Sequence, residues 1–105
     1  MVERRFWTRV PRVLEAQWIA PAGLRSTARV SDLSFGGCYL STFVTPRPGS
    51  QCRLFLVLPE EGVTAINAEV VHIDPYRGCG FRFIEPSQEA AAALARAVSA
   101  FLAER

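Results

Sequence analysis

A period-two hydrophobic pattern, which recurs between turn-forming residues and then gives way to a helical period, constrains the fold most strongly. Alternating apolar and polar residues predict half-buried β-strands, and clusters of Pro, Gly and Asp predict the turns that separate them. Six such segments precede residue 85. The predicted strands are Arg12–Ile19, Leu24–Ser31, Cys38–Thr42, Gln51–Leu58, Val63–Ile73 and Cys79–Ile84.

The period changes after Glu85-Pro86-Ser87, where a proline and a capping residue predict the start of a helix over Gln88–Ala103. Its apolar stripe needs a hydrophobic surface to cover. Six short antiparallel strands and one terminal helix predict an all-β-dominated fold, a six-stranded antiparallel β-barrel with a C-terminal α-helix, because closure removes exposed strand edges. The predicted stripe is Ala91, Leu94, Ala95, Val98, Phe101 and Leu102.

The length of 105 residues fits a single domain, residues 1–105. We divide it into an N-terminal arm over 1–10, a barrel over 11–84 and a helix over 86–103, since Pro11 breaks the chain after the arm. No apolar run approaches the roughly 18 residues that span a bilayer, and the arginine-rich start lacks the apolar stretch of a signal peptide. A cytoplasmic protein without membrane insertion is expected.

The three cysteines, Cys38, Cys52 and Cys79, are odd in number and match no zinc spacing. We expect them to be small apolar core residues in a reducing compartment, with no metal site. The net charge of +2 is too small to argue for nucleic-acid binding. All 12 basic residues are arginine, whose planar fork suits phosphate and guanine edges, and four of them lie in the first twelve positions.

A polar corner over residues 31–37 separates the second and third predicted strands. Asp and Ser accept hydrogen bonds from turn amides and Gly takes positive φ, so the corner is interpreted first as a turn. A turn needs only one carboxylate or one glycine, whereas Asp32, Ser34 and the pair Gly36-Gly37 occur together here. With the N-terminal arginines, they also predict a site for a planar, polar anion.

Arg5-Phe6-Trp7-Thr8-Arg9 has the pattern RxxxR, and Asp32 to Gly37 has the pattern DxSxxG. Together, in this order, they resemble the PilZ domain, the bacterial receptor module for the second messenger cyclic di-GMP. The resemblance covers the arm, the strand order, the strand Gly80-Phe81-Arg82-Phe83 and the closing helix. It implies that this chain binds cyclic di-GMP.

The resemblance also implies a role for each motif residue. Arg5 and Arg9 match the arginines that donate to phosphate and to guanine O6 and N7. Asp32 matches the carboxylate that accepts from the Watson–Crick edge of guanine. Ser34 adds a hydroxyl contact, and Gly37 lets the backbone approach the ligand. The predicted ligand-binding residues are Arg4, Arg5, Arg9, Asp32, Ser34, Gly36 and Gly37.

Two members of this set have particular interpretations. Gly36 serves mainly the turn. Arg4 precedes the motif at a position that in relatives influences whether one ligand or an intercalated pair is bound, and we expect the pair here. Five strand arginines are interpreted as outward, solubilising positions, with a ligand contact from one of them left open: Arg25, Arg29, Arg53, Arg77 and Arg82.

The expected function is that of a non-enzymatic cyclic di-GMP receptor, a monomer or weak dimer with no other cofactor. Ligand binding would order the arm over the barrel rim and create a surface for a downstream protein, in motility, biofilm or related behaviour. One alternative is a PilZ-like adaptor that binds no nucleotide, and another is a small barrel that binds single-stranded nucleic acid. Nothing pairs a nucleophile with a base, and His72 is expected at or near the surface.

Overall fold

The structure, a computed structural model, describes residues 14–103 of the chain. Within that range it contains six β-strands followed by one α-helix. The predicted start of the first strand, at Arg12, lies outside the described residues, and every other boundary lies within two residues of its prediction. The strands are β1 (Leu14–Ile19), β2 (Arg25–Leu33), β3 (Gly37–Ser41), β4 (Gln51–Leu58), β5 (Gly62–Asp74) and β6 (Gly78–Phe83), and the helix is α1 (Gln88–Ala103).

The six strands form one closed sheet in the order β1-β2-β3-β6-β5-β4. Every pairing is antiparallel. The sheet closes where β1 pairs with β4, with Trp18 opposite Leu54. The predicted six-stranded antiparallel barrel with a C-terminal helix is therefore confirmed.

Alternate side chains of the strands point into the barrel and form one hydrophobic core. In β4, every second residue from Cys52 to Leu58 is buried. Trp18 of β1 is fully buried, and its indole Nε1 donates to the hydroxyl of Thr42 at 3.5 Å. A buried indole N–H needs such a partner, so this contact fixes the orientation of the largest core side chain.

The three cysteines lie in this core as free thiols, as expected from the sequence. Burial raises the pKa of the Cys79 thiol to about 12, with the neighbouring Cys52 adding to the effect. The thiol is therefore protonated at neutral pH and packs as a small apolar group.

Helix α1 begins with Ser87 as its N-cap, since the Ala90 amide donates to the Ser87 hydroxyl at 3.1 Å. The predicted apolar stripe was partly wrong, because Ala91 is exposed and Ala95 is only half-buried. In a run of alanines hydropathy does not distinguish one face from another, so the bulkier residues decide which face packs on β4 and β5. The buried face is Ala90, Ala93, Leu94, Ala97, Val98 and Phe101.

An ion pair connects the exposed side of α1 to the turn between β4 and β5. The Arg96 guanidinium donates to both carboxylate oxygens of Glu61, at 3.0 and 2.8 Å. This hydrogen bonding lowers the pKa of Glu61 from its usual value of 4.5. The bidentate geometry makes this pair a specific attachment point for the helix.

We expect Leu94→Ala to lower the free energy of unfolding by about 2–5 kcal/mol, the range for large-to-alanine changes in a core. Leu94 is 1% exposed, so its truncation leaves a cavity between helix and barrel. Ser99→Ala, on the exposed side of the same helix, should change the stability by less than about 0.5 kcal/mol. Urea unfolding followed by circular dichroism measures both. Equal midpoints for the two variants would contradict the packing of the helix on the core.

We expect Glu61→Gln to be less stable than the wild type at pH 7, with the difference shrinking as the pH falls below 4.5. A carboxyl whose pKa is lowered by folding contributes stability above its unfolded pKa and loses it as the pH falls through its folded pKa. Thermal melts from pH 7 to pH 3 provide the measurement. The control is Glu60→Gln, which removes an exposed carboxylate of the same turn and leaves the bidentate contact of Glu61 with Arg96 in place. A Glu61→Gln difference that is independent of pH would contradict the ion pair.

Candidate functional site

Outward-facing residues of four neighbouring strands form one row across the outer wall of the barrel. Asp32 of β2 lies opposite Tyr39 of β3. Tyr39 and His72 of β5 both lie opposite Gly80 of β6. Side chains directly opposite each other on one face of a sheet are in contact range, so the row brings Asp32 into one surface with residues far from it in sequence.

A cleft of about 540 Å³ lies along this row. A larger cleft of about 860 Å³ occupies the outer face of β1, β2 and β4, but the four described residues of the predicted ligand set all line the smaller one. We therefore take the smaller cleft as the candidate site. Its lining from the predicted set is Asp32, Ser34, Gly36 and Gly37, and other residues that line it include Tyr39, Val71, His72, Gly80 and Arg82.

Two β-bulges turn Asp32 and His72 outward. Val30 and Leu33 are both fully buried, although residues three apart in a regular strand face opposite sides. The register shifts between Val30 and Asp32, so Asp32 does not follow Val30 into the core. Strand β5 has the same irregularity between Val70 and His72. The bulges therefore place a carboxylate and an imidazole at the two ends of the row.

The structure corrects the prediction that residues 31–37 form the turn. Strand β2 continues through Leu33, and the connection to β3 contains only residues 34–36. The apolar side chain of Leu33 enters the core and holds the preceding Asp32 in the strand. Asp32 is therefore presented by the sheet and not by a loop.

Ser34 closes the β2–β3 turn with both its backbone and its side chain. Its amide donates to the Gly37 carbonyl at 2.9 Å. Its hydroxyl accepts from the Gly37 amide at 3.2 Å and lies 3.1 Å from the Gly37 carbonyl, to which it donates. Ser34 is only 7% exposed. The turn-capping role considered for this serine is thus present in the structure.

Gly37 is required by the packing of two neighbouring strands, and its role in the approach of the ligand stays a prediction. Its φ lies outside the left-handed region, so the turn does not depend on positive φ at this position. A Cβ there would lie 2.2 Å from the carbonyl oxygen of Phe81, on the neighbouring strand β6. Gly37 therefore permits the close approach of β3 to β6 that forms one side of the cleft.

One carboxylate orients the two rings of the row. The Tyr39 hydroxyl donates to Asp74 Oδ2 at 2.6 Å, and His72 Nε2 lies 2.9 Å from Asp74 Oδ1. Burial, followed by this hydrogen bond, raises the pKa of Tyr39 to about 12. The bond from Tyr39, and then the contact with His72, lower the pKa of Asp74. At neutral pH Tyr39 is thus a neutral donor to an ionised carboxylate.

Arg82 supplies a cation to the cleft. It lies opposite Gly37 on β6 and forms an ion pair with Glu69 of β5. Its side chain is 59% exposed, so it is an outward position, as the sequence predicts. Its place beside the motif glycine was missed, because that depends on the pairing of β3 with β6.

The remaining predicted residues, Arg4, Arg5 and Arg9, lie outside the described residues, so their part in the site stays a prediction. Sequence reasoning also missed the bulges. Their signal is present in the sequence as apolar residues at spacing three within a strand, Val30 with Leu33 and Val70 with Ile73. A strand of strict period two cannot bury both members of such a pair.

Within residues 14–103, no group of three or more His, Cys, Asp and Glu side chains is arranged to bind a metal ion. The one helix of that range is not long and apolar enough to cross a membrane.

Comparison with solved structures finds the same fold. The PilZ domain of YcgR from Escherichia coli, solved with c-di-GMP, is 19% identical, with a TM-score of 0.79 over 96% of this chain and 93% of that chain. Bacillus subtilis MotI/DgrA, an inhibitor of motility, is 23% identical, with a TM-score of 0.77 over 99% of this chain and 54% of that chain. K. pneumonia MrkH, solved in complex with c-di-GMP, is 17% identical, with a TM-score of 0.82 over 99% of this chain and 54% of that chain.

This chain thus spans nearly all of the YcgR domain and about half of MotI/DgrA and MrkH. No curated protein sequence matches it. The family model of the PilZ domain matches residues 3–100, which include both the RxxxR and the DxSxxG motif. The chain therefore belongs to the PilZ domain family.

Proposed function

We propose that this PilZ domain is a receptor for cyclic di-GMP, which it binds in the cleft along the Asp32–His72 row. The observation that carries the proposal is that all the described members of the DxSxxG motif line one cleft. Its volume of about 540 Å³ lies within the range of small-molecule sites, about 300–1,000 Å³. The structures of YcgR and MrkH with c-di-GMP support the choice of ligand.

The charges of the cleft suit such a ligand. The Asp32 carboxylate is a hydrogen-bond acceptor for the amino and imino groups on the Watson–Crick edge of guanine. Arg82 offers a cation near the motif glycine, although Glu69 competes for it. The two phosphates of the ligand require further donors, and Arg5 and Arg9 of the RxxxR motif are the proposed source.

The path of the chain is compatible with this arrangement. The first described residue, Leu14, lies opposite Val30, and Asp32 is two residues further along the same strand. Strand β1 therefore begins at the end of the barrel where Asp32 lies. Arg9 is five residues from Leu14, and five extended residues reach at most about 17 Å. Arg9 is thus within covalent reach of the mouth of the cleft.

The signalling step that we propose is an ordering of the arm, residues 1–10, when its arginines bind the ligand. A segment that folds on binding presents a new surface to a partner. The wall around the larger cleft is the proposed contact region for a downstream protein. Exposed apolar side chains gather there, which is typical of interaction surfaces. They are Phe43, Val44, Val57 and Val63.

Isothermal titration with cyclic di-GMP tests the proposal directly. We expect the wild type to bind, and Asp32→Asn and Arg9→Ala to weaken binding by roughly 10- to 100-fold each, since a charged hydrogen bond contributes about 1.5–3 kcal/mol. The matched controls are Glu15→Gln and Arg25→Ala, an exposed acid and an exposed arginine that line the larger cleft and should bind normally. Absence of binding by the wild type would refute the receptor function.

The same titration gives the number of ligands bound, and a parallel titration with single-stranded nucleic acid tests that alternative. A stoichiometry of two ligands per chain would support the intercalated pair, and one ligand would contradict it. Tight binding of single-stranded nucleic acid with a steep salt dependence, in place of cyclic di-GMP, would favour the nucleic-acid alternative.

A second prediction concerns Ser34, which caps the β2–β3 turn and is also a proposed ligand contact. We expect Ser34→Ala to lower the free energy of unfolding of the ligand-free protein by about 1–2 kcal/mol, because the Gly37 amide loses its acceptor. Ser41→Ala, an exposed serine of β3, is the control and should be neutral. Chemical unfolding without ligand measures the difference. A Ser34→Ala variant as stable as Ser41→Ala would contradict the turn-capping role.

A further inference from the structure

Gly80 lies in the middle of β6, where the packing of the barrel does not require glycine. Glycine inside a strand lowers stability relative to alanine, and it often marks a place where a ligand approaches the backbone. A Cβ at Gly80 would make only ordinary contacts, 3.6 Å to His72 Cβ and 4.0 Å to Tyr39 Cδ2. The barrel itself therefore has room for a side chain at this position.

The two other glycines of this wall behave differently. A Cβ at Gly37 or at Gly78 would lie 2.2 Å from a carbonyl oxygen of the neighbouring strand. A Cβ at Gly78 would also lie 2.8 Å from the Tyr39 ring. The fold thus requires glycine at these two positions, and Gly80 is the exception among the three.

The side chains on either side of Gly80 are both fixed by a single group. Tyr39 and His72 contact different oxygens of the Asp74 carboxylate, at 2.6 and 2.9 Å. The Tyr39 ring extends from above Gly78 to the border of Gly80, and His72 lies on the opposite side. The backbone of Gly80 is consequently a short stretch without a side chain, bordered by the Tyr39 ring on one side and by His72 and Val71 on the other.

The β5 bulge supports a functional interpretation of this stretch. It separates His72 from Val70 in register and presents the imidazole on the outer wall, where its side chain is 61% exposed. Bulges of this kind often re-aim a side chain next to a binding site. The bulge in β2 does the same for Asp32 at the other end of the row.

We propose that Gly80, Tyr39 and His72 form a base platform, on which one purine ring of the ligand lies flat against the backbone of β6. The inference rests on the proposed cyclic di-GMP function and adds residues outside both sequence motifs. A flat ring needs a floor without a Cβ, and the edges of two fixed aromatic rings supply packing without hydrogen-bond readout. Gly80 would thus determine whether a base can enter the cleft.

The test is Gly80→Ala, with Gly80→Val as a larger step. Because the added Cβ has ordinary contacts, we expect Gly80→Ala to melt at or slightly above the wild-type temperature. Its affinity for cyclic di-GMP should fall at least tenfold, and that of Gly80→Val should fall further. Ser41→Val adds comparable bulk on β3 outside the base platform and should bind as the wild type does.

His72 provides a second readout, because it is the one histidine of the chain. In the protein without an affinity tag, its ring resonances are identifiable by NMR. Cyclic di-GMP should shift them strongly in the wild type, through the ring current of the bound base, and weakly in Gly80→Ala at the same ligand concentration.

The outcomes separate the two hypotheses. If the wild type binds but Gly80→Ala binds equally well, the base platform is wrong and the receptor function stands. If Gly80→Ala fails to fold, glycine is required by the barrel and the platform is also wrong. If the wild type shows no binding, both the receptor function and the base platform are wrong.

Discussion

Inward packing of alternate side chains in a closed barrel is the constraint on which the rest of the structure depends. Closure through the β1–β4 pairing gives every strand an inside and an outside, and a slip of one residue would exchange them. The core consists mainly of apolar side chains, so Leu33 is drawn inward completely and Ile73 in part, even though strict alternation would turn them out. The bulges follow from this demand. The outward positions of Asp32 and His72 are thus set by the packing of their apolar neighbours.

This dependence explains how much the sequence could predict. The strands and the helix follow from local periodicity. The exposure of Arg82 is also predictable, because it alternates with the apolar residues Phe81 and Phe83. Family motifs then point to Asp32 and Ser34. The pairing of β3 with β6 depends on contacts between residues about 40 positions apart, which no local pattern encodes. Tyr39, Gly80 and His72 could therefore be assigned to the candidate site only from the three-dimensional structure.

Two errors of the sequence analysis have the same physical origin. The turn was placed too early because Asp32 and Ser34 favour turns locally, whereas burial of Leu33 extends the strand. The helical stripe was misplaced because alanine side chains carry little information about which face is buried, and contact with the barrel decides it. In both cases tertiary packing overrides a local preference.

The closed sheet also limits how another protein could bind this domain. Many signalling modules capture an extended peptide by strand addition, in which an unpaired strand donates its backbone hydrogen bonds to the newcomer. Each of the six described strands already has a neighbour on both sides, so the barrel has no such backbone to offer. A partner that binds the barrel must therefore recognise the shape and chemistry of its outward side chains. Such side chains can be substituted one at a time without breaking the backbone hydrogen bonds of the sheet.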